Sequence, residues 1–234
     1  LSFGGGTLYG AQGVQALFRL PTAGPSQVIM PVLGNAVRLT AIDTDDTGGL
    51  WAGGSAGTPS RPEVPNLYRF DLAGRAVPTP FPGVVSDLRV FGGYVYVAAV
   101  RSEPTRQAKV WRLPIQGDGT LGAEEVVYDV DADTPGLRAS ALAIAADGTV
   151  FVGIAPSTSN PNQVVENPVV RVAPDGTAAP LYPGVLPSPV QAFAWGPGTE
   201  LYMVRSRLVQ GSGETARTIP AALFKIETRQ QGAP

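Results

Sequence analysis

The fold of this chain is decided by Val169-Val170-Arg171-Val172, a stretch followed by Ala173-Pro174-Asp175-Gly176. Branched apolar residues give way to a Pro-Asp-Gly turn, so the stretch predicts a short β-strand that ends in a tight turn. The same order of apolar, apolar or aromatic, basic and apolar residues returns at 17–20, 67–70, 110–113 and 223–226. Five copies of one unit indicate a repeat architecture.

A second repeated element precedes each basic strand. It is a turn, rich in glycine, that leads into an apolar strand carrying one aromatic residue. These aromatic residues are Tyr9, Trp51, Tyr96, Phe151 and Tyr202. Their separations of 42, 45, 55 and 51 positions fall near the period of a four-stranded propeller blade, about 40 to 50 residues.

The two elements together predict an all-β protein, a β-propeller of about five four-stranded blades. Each unit reads as strand 1, turn, strand 2, variable loop, basic strand 3, short turn and strand 4. We expect one propeller domain over residues 1–234, with blades at about 1–34, 35–84, 85–136, 137–185 and 186–234. No strand 4 is predicted after the basic strand at 222–227, so either the last blade has three strands or the chain is a segment of a longer propeller.

Composition excludes several functional classes. The chain has 234 residues, a net charge of −2 and neither cysteine nor histidine. Thiolate chemistry, imidazole bases and a Ser-His-Asp triad are therefore excluded, and nucleic acid is a poor partner for this charge. No apolar run approaches the roughly 20 residues that a membrane-spanning helix needs. The start at Leu1 rather than Met indicates a chain that is processed, trimmed or incomplete, and we expect a secreted, periplasmic or cell-surface protein.

Without histidine or cysteine, carboxylates are the main route to metal binding. Asp129, Asp131 and Asp133 alternate in a predicted connection between blades, and alternating acids can direct several oxygens toward one hard cation such as Ca²⁺. The match to a calcium loop is partial, because Thr134 stands where an EF-hand has glycine. The alternative is that all three are solvated loop acids.

A second acidic cluster is predicted to be structural. Asp43, Asp45 and Asp46 lie where strand 1 turns into strand 2, and this spacing is typical of a hairpin turn. The basic residue that recurs in strand 3 is also predicted to be structural. Its hydrocarbon chain is expected to pack on apolar side chains while its charged group stays in water.

The loops between strands 2 and 3 vary most in length and are predicted to share one face of the domain. Binding residues often lie on such loops over a rigid scaffold, although drift in loops that tolerate insertion explains the variation equally well. The mixed charges on these loops favour a protein partner. The predicted partner-binding residues are Arg61, Glu63, Arg101, Glu103, Arg106, Arg205, Arg207 and Arg217.

Three phrases resemble those of NHL-type and SMP-30/gluconolactonase-like β-propellers: residues 143–152, residues 170–176, and residues 111–113 with 117–122. The resemblance covers the repeat units along the whole chain and is specific for architecture. For lactonases of this kind it implies a divalent metal held by Glu, Asn and Asp on the central axis. That set cannot be placed on this sequence, so no catalytic residue is carried over.

Three functions follow, in this order. The first is a non-catalytic extracytoplasmic propeller that binds another protein or forms part of an assembly, with no cofactor. The second is a metal-dependent lactonase or related hydrolase, using Ca²⁺ or another divalent cation. The third, a carbohydrate-binding propeller, predicts near-identical polar residues in every blade, whereas the loops here diverge in length and content.

Overall fold

The structure is a computed structural model. It describes residues 2–4, 7–12, 16–25, 27–29, 38–55, 65–70, 75–101, 105–157, 161, 163–210 and 217–233. Across these residues the regular secondary structure is almost entirely β-strand, as predicted, and the single helix is four residues long. None of the described helices is long and apolar enough to cross a membrane. The expected location outside the cytoplasm stays a prediction.

The strands form successive antiparallel sheets in chain order. The first sheet contains β1 (Ser2–Gly4), β2 (Thr7–Gln12), β3 (Ala16–Pro21) and β4 (Gln27–Ile29). The second contains β5 (Arg38–Thr44), β6 (Leu50–Ser55), β7 (Pro65–Phe70) and β8 (Ala76–Pro80). The third contains β9 (Val84–Phe91), β10 (Tyr94–Arg101), β11 (Gln107–Pro114) and β12 (Glu125–Asp129).

The helix α1 (Val130–Asp133) leads into the fourth sheet. This sheet contains β13 (Leu137–Ile144), β14 (Val150–Pro156), β15 (Val169–Val172) and β16 (Ala178–Pro180). The fifth contains β17 (Val190–Trp195), β18 (Glu200–Arg205) and β21 (Ala222–Glu227). A small hairpin, β19 (Leu208–Gln210) with β20 (Arg217–Ile219), lies in the loop between β18 and β21.

The predicted repeat is confirmed strand by strand. The five basic stretches lie in β3, β7, β11, β15 and β21, each the third strand of its sheet. Within the described residues the last sheet has three strands and the others have four. The hairpin β19–β20 and the helix α1 were not predicted.

Two compact units divide the chain, Leu1–Val126 and Val127–Pro234. The single-domain organisation therefore stays a prediction. In the first unit the strand 2 aromatic residue Trp51 is fully buried among side chains of β9, β10 and β11. In the second unit Phe151 is fully buried against Val190 and Phe193 of the following sheet.

Candidate functional site

In four of the sheets the first strand has a β-bulge near its start, and the bulged residue is polar. The pairing register shifts around Thr40 in β5, Ser86 in β9, Ser140 in β13 and Gln191 in β17. A β-bulge leaves one residue outside the ladder and redirects its side chain, and bulges are common beside active sites. Because a bulge depends on which residues pair, the strand patterns alone did not predict it.

The bulge at Thr40 ties two neighbouring sheets of the first unit together. Its hydroxyl donates to the backbone oxygen of Val85 at 2.7 Å and lies 3.3 Å from that of Gly53. Gly53 has no room for a side chain, because an added Cβ would lie 2.5 Å from Cγ1 of Val85. The hydroxyl and the glycine therefore bring the strands β6 and β9 into close contact.

The second unit repeats this junction. Ser140 is buried, and its hydroxyl donates to the backbone oxygens of Val190 at 2.8 Å and Gly153 at 3.1 Å. An added Cβ at Gly153 would lie 2.6 Å from Cγ1 of Val190. The offset of 13 residues from hydroxyl to glycine is the same in both units, and this shared spacing is a signal that sequence comparison of the repeats could have found.

Two carboxylates lie on the first strands, and both are engaged by hydrogen bonds. Asp43 accepts from the hydroxyl of Ser2 at 2.7 Å and from the backbone amide of Val90 at 2.8 Å. Asp87 accepts from the amide of Leu88 at 2.8 Å and forms an ion pair with Arg89 at 3.1 Å. Asp43 therefore links three successive first strands of its unit.

The predicted hairpin turn is confirmed at Asp45, whereas Asp43 lies within the strand before it. The Asp45 carboxylate accepts from the amide of Gly49 at 2.7 Å and from the indole of Trp51 at 2.9 Å. It also accepts from the amide and hydroxyl of Thr47 and pairs with Arg69 at 3.5 Å. Burial by itself raises the pKa of Asp45, but these partners outweigh it and hold the pKa below its ordinary value of 3.8.

Replacing Asp45 with asparagine is expected to lower the free energy of unfolding by about 1 to 3 kcal/mol at pH 7. A carboxylate whose pKa is lower in the folded state stabilises the fold above its ordinary pKa and loses that contribution as the pH falls. The difference between wild type and Asp45→Asn should therefore shrink below pH 3.8. Urea denaturation over a pH series measures it. Asp46→Asn, at the exposed neighbouring position, is the control, and an equal loss in the control would contradict the prediction.

The predicted metal ligands lie on and beside the helix α1. Asp129 caps the helix by accepting from the amide of Ala132 at 3.1 Å, and Asp131 accepts from the amide of Gly136 at 3.4 Å. The prediction placed all three acids in a connection between blades and did not include a helix there. On a helix, side chains two positions apart point about 200° apart. The alternation of Asp129, Asp131 and Asp133 therefore does not direct their carboxylates toward one point.

No group of three or more acidic side chains that could hold a metal ion occurs in the part of the chain that the structure describes. Asp133 instead forms a hydrogen bond with Tyr128. Burial, together with this hydrogen bond, raises the pKa of Tyr128. A cation at Asp129, Asp131 and Asp133 thus has no support in this geometry.

The predicted partner-binding residues are placed in different ways. Arg61, Glu63 and Glu103 lie outside the described residues. Arg207 and Arg217 are exposed, and Arg106 is half-buried. Arg205 is used within its own blade, because its guanidinium donates to the backbone oxygen of Pro220 at 2.6 Å.

Arg101 is also used internally, so it is not the free surface cation that the sequence suggested. Its guanidinium carbon lies 4.7 Å from the ring centre of Phe81 and 4.3 Å from that of Trp111. The same group donates to both oxygens of Glu124, at 2.8 Å for one of them. This hydrogen-bonded partner holds the pKa of Glu124 below its ordinary value. We name Phe81, Trp111 and Glu124 the Arg101 cage.

Three of the basic residues of strand 3 have a structural role, since each pairs with a carboxylate of the same repeat unit. Arg69 pairs with Asp45 and lies 5.7 Å from the ring centre of Trp51. Arg112 pairs with Glu125 at 2.7 Å. The Lys225 ammonium lies 3.4 Å from a carboxylate oxygen of the same sheet, that of Glu200.

Solved structures match the fold of this protein over most of the chain. A luciferin-regenerating enzyme aligns with a TM-score of 0.66 at 14% identity, over 98% of this chain and 76% of its own. A proposed gluconolactonase aligns with a TM-score of 0.66 at 18% identity, over 97% of this chain and 72% of its own. The fold is an NHL/SMP-30-like β-propeller. The calcium-binding protein regucalcin from Agrobacterium tumefaciens also matches this propeller, with a TM-score of 0.61 at 16% identity, over 87% of this chain and 65% of its own.

No protein-family profile and no curated protein sequence matches the propeller sequence. The predicted architecture is therefore confirmed by its sheets and by similarity of structure. At these identities the similarity is one of fold alone, because one fold can host many functions.

Proposed function

We propose that this propeller is a hydrolase of the lactonase kind, which opens a small cyclic ester with water. The observation that carries the proposal is the match over 98% and 97% of the chain to a luciferin-regenerating enzyme and to a proposed gluconolactonase. This function ranks above the non-catalytic binding or assembly module, because these two matched structures carry the names of enzymes.

The bulged first strands supply polar groups that suit a small oxygen-rich substrate. In the first unit the hydroxyl of Thr40 donates its proton to the backbone oxygen of Val85, and a hydroxyl oxygen that donates still has lone pairs that accept hydrogen bonds. In the second unit Gln191 is exposed and can both donate and accept. Each unit therefore has a polar group that can bind a hydroxyl group without requiring charge.

A base that activates water must come from outside the usual imidazole and thiolate groups, since the chain has no histidine and no cysteine. Carboxylates are the common remaining choice. Of the two first-strand carboxylates we select Asp87 for the test, because it directly follows the bulge at Ser86. Substitution of Asp87 therefore tests whether a carboxylate on the first strand of a sheet takes part in the hydrolysis.

Calcium binding by the matched regucalcin makes a divalent cation plausible as cofactor. Among the described residues there is no group of three or more acidic side chains that could hold a metal ion. The proposed reaction is accordingly assigned no metal ligand, and the need for a cation is left to the assay.

Hydrolysis of glucono-δ-lactone and a panel of other small lactones should exceed the spontaneous rate and saturate with substrate. Acid release in a pH-stat measures it, after treatment with a chelator and after separate addition of Ca²⁺, Mg²⁺, Mn²⁺ and Zn²⁺. Asp87→Asn should reduce the rate by about tenfold or more if the carboxylate acts as base. Asp118→Asn, in an exposed turn, is the matched control and should keep the rate.

Absence of turnover above the spontaneous rate with every lactone and every cation would overturn the proposal. The binding or assembly module would then become the leading function. Equal losses in Asp87→Asn and Asp118→Asn would instead remove Asp87 from the reaction while leaving the hydrolase assignment standing.

A further inference from the structure

The segment of residues 228–233 follows β21 and returns to the preceding sheet of the second unit. The amide of Ala146 donates to the backbone oxygen of Gln231 at 2.9 Å, and the amide of Ala233 donates to that of Ile144 at 3.0 Å. Gly232 forms an isolated bridge with Ala145. The segment therefore lies across the end of β13, the first strand of another blade.

One side chain anchors this segment. The amide nitrogen of Gln230 donates to the carboxylate of Asp147 at 2.7 Å and to the hydroxyl of Thr149 at 2.8 Å. Thr228 shapes the turn that precedes it, because its hydroxyl contacts the backbone oxygens of Thr199 at 2.8 Å and Gln230 at 2.9 Å. Both ends of the segment are thus held by few and identifiable bonds.

Trp195 lies beneath the segment. Its indole nitrogen donates to the backbone oxygen of Ile144 at 2.8 Å, and its ring meets the Phe151 ring edge-on with centres 5.6 Å apart. The backbone of Gly232 covers the indole so closely that an added Cβ would lie 2.2 Å from Cγ of Trp195. Glycine is required at this contact because any side chain would displace the segment from the ring.

We propose that residues 228–233 form a releasable strap, which covers part of the half-buried Trp195 when closed and exposes more of its ring when open. The strands β13, β14, β17, β18 and β21 pair with one another without the strap, so it can open while the sheets stay formed. Segments held by few bonds open locally at less cost than the global unfolding of the domain. The strap is independent of the proposed hydrolase function.

Acrylamide quenching of tryptophan fluorescence tests the strap. Trp51 is fully buried and Trp111 is 2% exposed, so added quenching reports on Trp195. Gly232→Val should open the strap and raise the quenching constant at least about twofold, with an unchanged circular dichroism spectrum. Gln230→Ala loses two hydrogen bonds and should raise the population of the open form about tenfold. Gly117→Val, where an added side chain meets no atom within 4 Å, is the matched control.

Hydrogen exchange of the Ala146 amide gives a second readout, because this amide donates to the strap. It should exchange about tenfold faster in Gln230→Ala, while the amides of β14 keep their protection. Trp195→Phe should abolish the quenching response of Gly232→Val. Unchanged quenching and exchange in both strap variants would overturn the proposal. The proposal would also be overturned if the Ala146 amide exchanged faster only when the amides of β14 did so too. The strap would then open only when the sheet itself opens.

Discussion

Gly153→Ala is expected to lower the free energy of unfolding by about 3 kcal/mol, because the new methyl group has no space. It would lie 2.6 Å from Cγ1 of Val190 and 3.1 Å from Cβ of Ala141. Neither strand can move aside easily, since the Ser140 hydroxyl holds the backbone oxygens of both Gly153 and Val190. Urea denaturation followed by circular dichroism measures the loss.

A double variant separates this steric effect from a general cost of alanine. Gly153→Ala combined with Val190→Ala should be less destabilised than the sum of the two single variants, because trimming Val190 creates the missing space. Gly117→Ala, at an open position, should change stability by less than about 0.5 kcal/mol. A value that small for Gly153→Ala would contradict the close approach of the two sheets. The same experiment applies to Gly53 and Val85 in the first unit.

Arg101→Ala is expected to cost about 2 to 3 kcal/mol, through the loss of two cation–π contacts and of the side-chain packing between two rings. The Arg101 side chain is only 12% exposed, so its removal leaves a gap between Phe81 and Trp111. Chemical denaturation measures the loss, and the fluorescence of Trp111 reports locally on the cage.

Two conservative variants separate the parts of the Arg101 cage. Arg101→Lys keeps the charge but loses the planar group that stacks between rings and donates to both oxygens of Glu124, so it should lie between wild type and Arg101→Ala. Glu124→Gln should cost less than about 1 kcal/mol, because the Glu124 side chain is 41% exposed and water screens the pair. If Glu124→Gln cost as much as Arg101→Ala, the ion pair and not the aromatic cage would be the source of the stabilisation.

The repeat predicted the strands well because each strand is a local pattern. In the third strand at 169–172 the first, second and fourth side chains are buried and Arg171 is exposed, which is what an apolar strand with one basic residue requires. The hairpin turn at Asp45 was likewise local, since Thr47 and Gly49 are close to it in sequence.

The candidate site was much less predictable. The bulges at Thr40 and Ser140 depend on partners 45 and 50 residues away, and no short pattern contains that information. Asp129 was expected in a loop, but a four-residue helix is too short to produce a helical period in the sequence. Arg101 was expected on the surface. Its aromatic partners Phe81 and Trp111 are separated from it along the chain, so the local sequence did not indicate these contacts.

By itself the sequence determined the kind of protein: short strands, tight turns and a unit repeated five times, because strand and turn preferences act between near neighbours. It also determined that these 234 residues supply neither histidine nor cysteine for catalysis. Only the tertiary structure decided which polar groups are already engaged. Asp43, Arg101 and Gln230 each bond residues at least 23 positions away, and such contacts form only when the sheets come together. The physical reason for these contacts is that a half-buried polar group needs a hydrogen-bond partner.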